Sequence, residues 1–197
     1  MKTVSIITAM GKRDFDEEFT PLSPWLDLVN SEQWDGFGRL TDHLLEPGWV
    51  TGFLRHWKFD PQGRARTTAN AELAELRSLI RKSSEKIASG KSLSRRDLHA
   101  FNTFLNAPSY PQLVTRREQI RTELTPVRRN WSWVRSRIAA SFVDSFLDQS
   151  NRIKVCGNPQ CRWAFLDTTK SNIRRWCHDR RCGNRDRVRR ARARARP

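Results

Sequence analysis

A mainly α-helical chain ending in a small cysteine-built module is the fold class predicted by the sequence, and three observations predict it. Apolar residues recur at three- and four-residue steps through much of the chain, most clearly at Trp131, Val134, Ile138, Phe142 and Phe146. All four cysteines fall near the C-terminus as two Cys-x4-Cys pairs, Cys156/Cys161 and Cys177/Cys182, separated by 15 residues. Charge divides at the same place. Residues 151–197 hold 15 Lys and Arg against 3 Asp and Glu, net +12, which leaves 22 against 18, net +4, for residues 1–150. We therefore divide the chain into a helical domain, 1–150, and a C-terminal module, 151–197.

Taken in order, Thr3–Met10 is apolar but short and is followed at once by charged residues. It lacks the apolar core and small-residue cleavage site of an export signal, and no run approaches the ~20 apolar residues of a membrane span. A cytoplasmic protein with no membrane partner is expected. Phe19 to Gly38 carries Pro21, Pro24, Gly36 and Gly38, and reads as a turn-rich segment wrapping the surface, anchored by Trp25 and Leu28.

Leu40, Leu44 and Leu45 predict a short helix ended by Glu46-Pro47-Gly48, and Trp49, Val50, Phe53, Leu54 and Trp57 a second. A long helix is expected from about Arg66 to Ser89, with Leu73, Leu76, Ile80 and Ile87 on its core face and Gly90 as its C′ residue. Ser94 and Asp97 form a capping pair opening a helix through Leu98, Phe101 and Leu105 that stops before Pro108. Between Pro111 and Pro126, imperfect alternation with Thr and β-branched residues predicts a short hairpin. The helix of Trp131 to about Asp148 closes the domain. Arg152-Ile153-Lys154-Val155 then enters the module without a Gly/Pro-rich linker, so the module should dock on the helices.

Within the module, Gly157-Asn158-Pro159 supplies turn chemistry for a knuckle, with backbone amides free to face the thiolates of Cys156 and Cys161. Trp163–Leu166 and Ile173–Trp176 flank a polar run and read as a hairpin, and a helix follows from about Cys182 to Ala195 with Val188, Ala191 and Ala195 as a narrow apolar stripe. Knuckle, β-hairpin and helix make a treble-clef-like finger. Four thiolates suit one structural zinc ion held tetrahedrally by Cys156, Cys161, Cys177 and Cys182. Two disulfides are the competing reading, which belongs to oxidising compartments. A catalytic zinc would keep an open position, which a full set of thiolates closes. His178, beside Cys177, is an alternative ligand, but Cys182 already completes the set.

Cys156-x4-Cys161, Phe165-Leu166-Asp167, Arg175-Trp176-Cys177 and Cys182-Gly183-Asn184-Arg185 resemble the CGNR zinc finger, named for the last tetrapeptide. The match covers about Asn151 to Ala191. In that family the finger follows an all-helical domain called ABATE, in bacterial proteins described as stress-induced transcriptional regulators. Trp25–Asn30 and the helix order resemble that domain, though without a diagnostic motif.

Residues 185–196 hold seven arginines in twelve positions. On a helix, Arg185, Arg189, Arg192 and Arg196 form one ridge and Arg187, Arg190 and Arg194 another, both expected to face outward. Such a rod repels itself, and phosphate binding relieves the repulsion. Arginine at every basic position suits phosphate forks and base edges. With Lys170, Arg174 and Arg175 on the hairpin, these residues form the expected nucleic-acid surface, the bland alternative being a solvated basic face. Trp49, Trp57, Trp131 and Trp133 are expected in the core, and Trp163 and Trp176 around the zinc.

No glycine-rich phosphate loop, His-Glu-x-x-His or nucleophile elbow is present, and His43, His56, His99 and His178 are scattered. The expectation is a non-enzymatic DNA-binding transcriptional regulator, with the helical domain as a sensor or dimerisation module. A small-molecule effector is compatible with that, but no sequence feature locates a pocket, and the oligomeric state is not legible. RNA binding, or a protein-interaction module with a purely structural finger, are the rival readings.

Overall fold

The structure, a computed structural model, describes residues 19–20, 22–62, 69–116 and 118–195. Thr3–Met10, the charged segment after it, the expected start of the long helix at Arg66, and Arg196 lie outside the described residues.

The fold is built around α1, Pro24–Asn30, where a surface-wrapping segment was expected. Pro24 is no breaker here. At the first turn of a helix its missing N–H costs nothing, and its fixed φ favours the start. Trp25, Leu26, Leu28 and Val29 are at most 1% exposed, so the short helix is sequestered on all sides, each side chain contributing ~1.5–3 kcal/mol by burial. Its polar positions are paired. Asp27 accepts from the Thr20 amide (2.7 Å) and the Trp57 indole (2.7 Å), and the Trp25 indole donates to Ser145 (3.0 Å).

A small antiparallel hairpin follows, β1 (Glu32–Trp34) and β2 (Leu40–Asp42), then a single 3-10 turn at His43–Leu45. The expected helix around Leu40–Leu45 is thus a strand and a turn. Asp42 ends the strand by accepting the Leu44 amide (3.1 Å), and a bidentate pair from Arg77 (2.5 and 2.7 Å) fixes the same carboxylate. Helix α2 spans Trp49–His56 and the long α3 Ala69–Ala88, with Leu73, Leu76 and Ile80 fully buried and Ile87 partly so. Gly90 closes α3 as expected: its N–H donates to Ile87 O (2.9 Å) and that of Lys91 to Lys86 O (2.9 Å), the paired bonds of a Schellman cap.

The capping pair opens α4, Arg95–Phe104: Ser94 Oγ accepts the Asp97 amide and Asp97 accepts the Ser94 amide. Phe101 and Phe104 are buried, whereas Leu98 remains 47% exposed. The hairpin is longer than expected, with β3 (Ser109–Arg116) and β4 (Gln119–Pro126) in register from Ser109↔Pro126 to Arg116↔Gln119. It leaves Leu113, Ile120 and Leu124 at least 70% exposed. Helix α5, Trp131–Gln149, buries Val134, Ile138 and Phe142 against α1, α3 and α4; Phe142 stacks on Phe101 (5.1 Å) and meets Trp25 edge-on (5.2 Å). Trp49 and Trp131 lie in this core, with Trp57 and Trp133 packed against it.

Lys86 and then Ser94 hold the Asp97 carboxyl at about 2, below its ordinary 3.8. A depressed carboxylate stabilises the fold fully above the unfolded value, so this contribution persists above pH 3.8 and fades as pH falls toward about 2. Ser94→Ala should lower unfolding free energy by ~1 kcal/mol at pH 7, and Asp97→Ala should lose its effect relative to wild type at the acid end, both read from denaturation midpoints.

Candidate metal centre and basic helix

Strands β5 (Ile153–Val155) and β6 (Ala164–Leu166) pair antiparallel and carry the knuckle between them. Cys156 N–H extends the ladder to Trp163 O (2.9 Å). Asn158 then folds the loop back: its carbonyl accepts Cys161 N–H (2.9 Å) and its side chain accepts Gln160 N–H (3.1 Å). The expectation that knuckle amides face the sulfurs needs correction. Gly157 N–H donates to Arg175 O (2.8 Å), joining the knuckle to the later loop, while the Cys177 backbone amide reaches the Cys156 sulfur and the Asn158 side-chain amide reaches Cys182 Sγ at 3.9 Å.

The second strand expected at Ile173–Trp176 does not form. Asp167, fully buried, gathers this stretch instead by accepting Thr169 N–H (3.0 Å), Thr169 Oγ1–H (2.6 Å) and Arg174 N–H (2.8 Å). Arg152 donates to the carbonyls of Asp167 (2.7 Å) and Thr169 (2.8 Å). A carboxylate that takes three donors from a loop leaves no ladder to build, and Ile173 stays 77% exposed. The finger's hairpin is therefore β5–β6, one strand earlier than expected.

Cys177 and Cys182 are brought together by a wide turn, Asp179–Gly183, in which His178 O accepts the amides of Cys182 (3.0 Å) and Gly183 (3.3 Å). The His178 ring caps this turn, with Nδ1 accepting Arg181 N–H (3.3 Å). At Gly183 a Cβ would lie 2.5 Å from Asp179 Oδ1 and 3.0 Å from the Trp176 indole, so a larger residue requires the exposed Asp179 side chain to move. Helix α6, Asn184–Arg194, starts immediately afterwards.

The four buried sulfurs lie within 4.8 Å of one another, with Cys161–Cys177 at 3.6 Å and Cys177–Cys182 at 3.7 Å. A disulfide requires about 2 Å, whereas a tetrahedron with ~2.3 Å zinc–sulfur bonds has edges of roughly 3.8 Å. The spacing is that of a shared ion. Crowding also splits the thiols: contact with Cys161 draws Cys156 down to about 7, and contact with Cys156 draws Cys182 down while pushing Cys161 and Cys177 up. A divalent cation resolves this by displacing the protons. Trp163 and Trp176 pack against the cluster with Phe165.

Residues 152–195 match the CGNR zinc finger family, and residues 22–149 match ABATE, a family described as "Putative stress-induced transcription regulator". The chain belongs to the ABATE family. Comparison with curated proteins returns no match. The CGNR finger holds one structural zinc ion, for which the four clustered cysteines supply a complete donor set. Among the described residues, no helix is long and apolar enough to cross a membrane.

The basic residues fall into distinct groups. Arg174 braces the finger: Nε donates to Trp176 O (2.8 Å), Nη2 to Cys177 O, and the guanidinium lies 4.8 Å over Phe165. Arg185 donates to Asp35 O (2.8 Å), back on the ABATE domain. Arg187 pairs with Asp179 (3.2 Å), while Arg189 (2.7 Å) and Arg190 (2.8 Å) share Asp186. Lys170, Arg175, Arg192 and Arg194 are exposed, with Arg175 lying 5.5 Å over Trp176. Val188, expected on the narrow apolar stripe of this helix, is 42% exposed.

The CGNR finger docks on the ABATE helices, as the missing linker implied. Asn30 pairs with Ala164 as a strand would, Nδ2 donating to Ala164 O (2.8 Å) and Oδ1 accepting Ala164 N–H (2.9 Å). Arg81, buried on α3, donates to Arg162 O (2.8 Å), Glu32 O (3.3 Å) and Val29 O, and pairs with Glu32 (2.8 Å). Arg162 in turn pairs with Glu85 (2.7 Å). Sequence reasoning passed over both anchors. The available signal was two cations, Arg77 and Arg81, on the apolar face of α3.

The full chain purified without added metal should carry one equivalent of zinc by elemental analysis, and Cys161→Ala should carry far less. Asn30→Ala leaves two buried backbone groups of Ala164 unpaired and should lower stability by ~2 kcal/mol with zinc still bound, measured by chemical denaturation.

Proposed function

We propose that this protein is a zinc-dependent DNA-binding transcriptional regulator. The zinc-fixed finger presents α6 to phosphate, and the ABATE domain serves as a sensor or dimerisation module. The observation that carries this reading is the attachment of an arginine-rich helix directly after the last zinc ligand. With Cys182 in the sulfur cluster and α6 beginning at Asn184, the metal sets the direction of the rod. Zinc here is structural, and its chemistry is to hold four thiolates in one arrangement.

On α6, Arg187, Arg190 and Arg194 share one side at helical spacing. The ion pairs of Arg187 and Arg190 do not remove them from use. Their side chains are 53% and 56% exposed, and the Arg187–Asp179 pair, exposed at both ends, contributes only ~0–1 kcal/mol, while Arg190 shares the buried Asp186 with Arg189. Lys170 and Arg175 extend the cationic surface, whereas Arg174 and Arg185 act as positioning residues through the bonds described above. The net +12 of residues 151–197 supports the same reading.

If about five charges neutralise phosphates, log K on duplex DNA should fall with log salt at a slope of roughly −4.5. Arg187→Ala/Arg190→Ala/Arg194→Ala should flatten that slope by roughly 2.7 while zinc content stays at one equivalent. A wild-type slope near zero at low micromolar protein overturns the proposal.

A further inference from the structure

The opposite side of α6 starts against the ABATE domain. The turn between β1 and β2 reaches the finger, where Arg185 donates to Asp35 O (2.8 Å), its guanidinium lies 4.0 Å over the Phe37 ring, and Asn158 Nδ2 donates to Gly36 O (3.3 Å). Gly36 permits this contact. It sits at φ +84°, and a Cβ there would fall 1.8 Å from the Arg185 guanidinium. Turn, knuckle and α6 together enclose a groove of about 980 Å³, lined by Phe37, Gln160, Trp176, Val188, Arg189 and Arg192 among others.

Two features of this groove point to a ligand. Phe37 is 70% exposed at its rim, with the Arg185 cation over the ring. The groove is also cationic. Asp186 is its acidic lining residue, buried and already neutralised by Arg189 and Arg190, while Asp35 turns its carboxylate to the amides of Phe37 (2.7 Å) and Arg39 (3.2 Å) in its own turn. Aromatic platforms beside arginines are how proteins hold unpaired bases, the ring taking the base and the cations the backbone. On this side α6 is flanked by residues 36–37 and 158–160.

We propose that this groove, built jointly by the two domains, seats an unpaired nucleotide segment: a base stacks on Phe37, and flanking phosphates meet Arg189 and Arg192. The proposal rests on the nucleic-acid reading above and adds a second, single-strand contact on the side of α6 away from Arg187, Arg190 and Arg194.

The test uses the zinc-loaded full chain, with oligothymidylate as the unpaired probe and a duplex of equal length as the comparison, both by fluorescence anisotropy at fixed salt. Phe37→Ala should weaken oligothymidylate binding about tenfold, in keeping with ~1–3 kcal/mol per base stacked on an aromatic ring. Phe37→Trp should retain binding, and duplex affinity should be the same in all three proteins. Because Phe37 is exposed, unchanged zinc content in Phe37→Ala confirms that the finger is intact. Equal oligothymidylate affinity in Phe37→Ala and wild type overturns the groove, as does an equal loss on duplex and single strand. Wild type that binds duplex but not oligothymidylate also overturns the groove and leaves the regulator reading standing; wild type that binds neither overturns both.

Discussion

The arrangement of the C-terminal half depends on four sulfurs meeting at one point. Each pair of cysteines sits on a short turn with little apolar surface of its own, and the module is too small to hold those turns by burial alone. A shared zinc ion joins the knuckle after β5 to the turn before α6, and everything beyond Cys182 takes its direction from that junction. The supporting contacts are chosen around it: Asn158 reaches the Cys182 sulfur, Arg174 secures the carbonyls of Trp176 and Cys177, and Gly183 admits the Trp176 indole beside the last ligand.

The finger is not an appended bead. Asn30, at the end of the most buried helix of the ABATE domain, completes the edge of β6, and Arg81 ties the same region to the knuckle through Arg162. Both contacts place charged or amide groups in the interior, where the loss of one partner costs more than the bond contributes. The consequence is a defined relation between the hairpin of Asp35–Arg39 and α6. The turn and the basic helix are thereby joined through short, direct contacts.

Charge on α6 is arranged rather than merely abundant. Asp179 and Asp186 pair with Arg187, Arg189 and Arg190, which limits self-repulsion in a helix of this composition. The Arg187–Asp179 pair is exposed at both ends, so a phosphate can replace that carboxylate at small cost.

The sequence by itself determined the donor set, the end of α3 at Gly90, the cap of α4 at Ser94, the periodicity of α5 and the two ridges of α6, because each follows from residue chemistry at short range. It misjudged Pro24–Asn30 and Leu40–Leu45, where a proline can start a helix as readily as end one and three leucines suit either period. It also missed Asp167, whose three donors come from a loop with no pattern of its own. Only the tertiary structure decided which ridge of α6 starts beside the turn between β1 and β2. That outcome turns on the turn at residues 35–37 and on Arg185, which lies 150 residues beyond Asp35 in the chain and meets it only once the finger is docked.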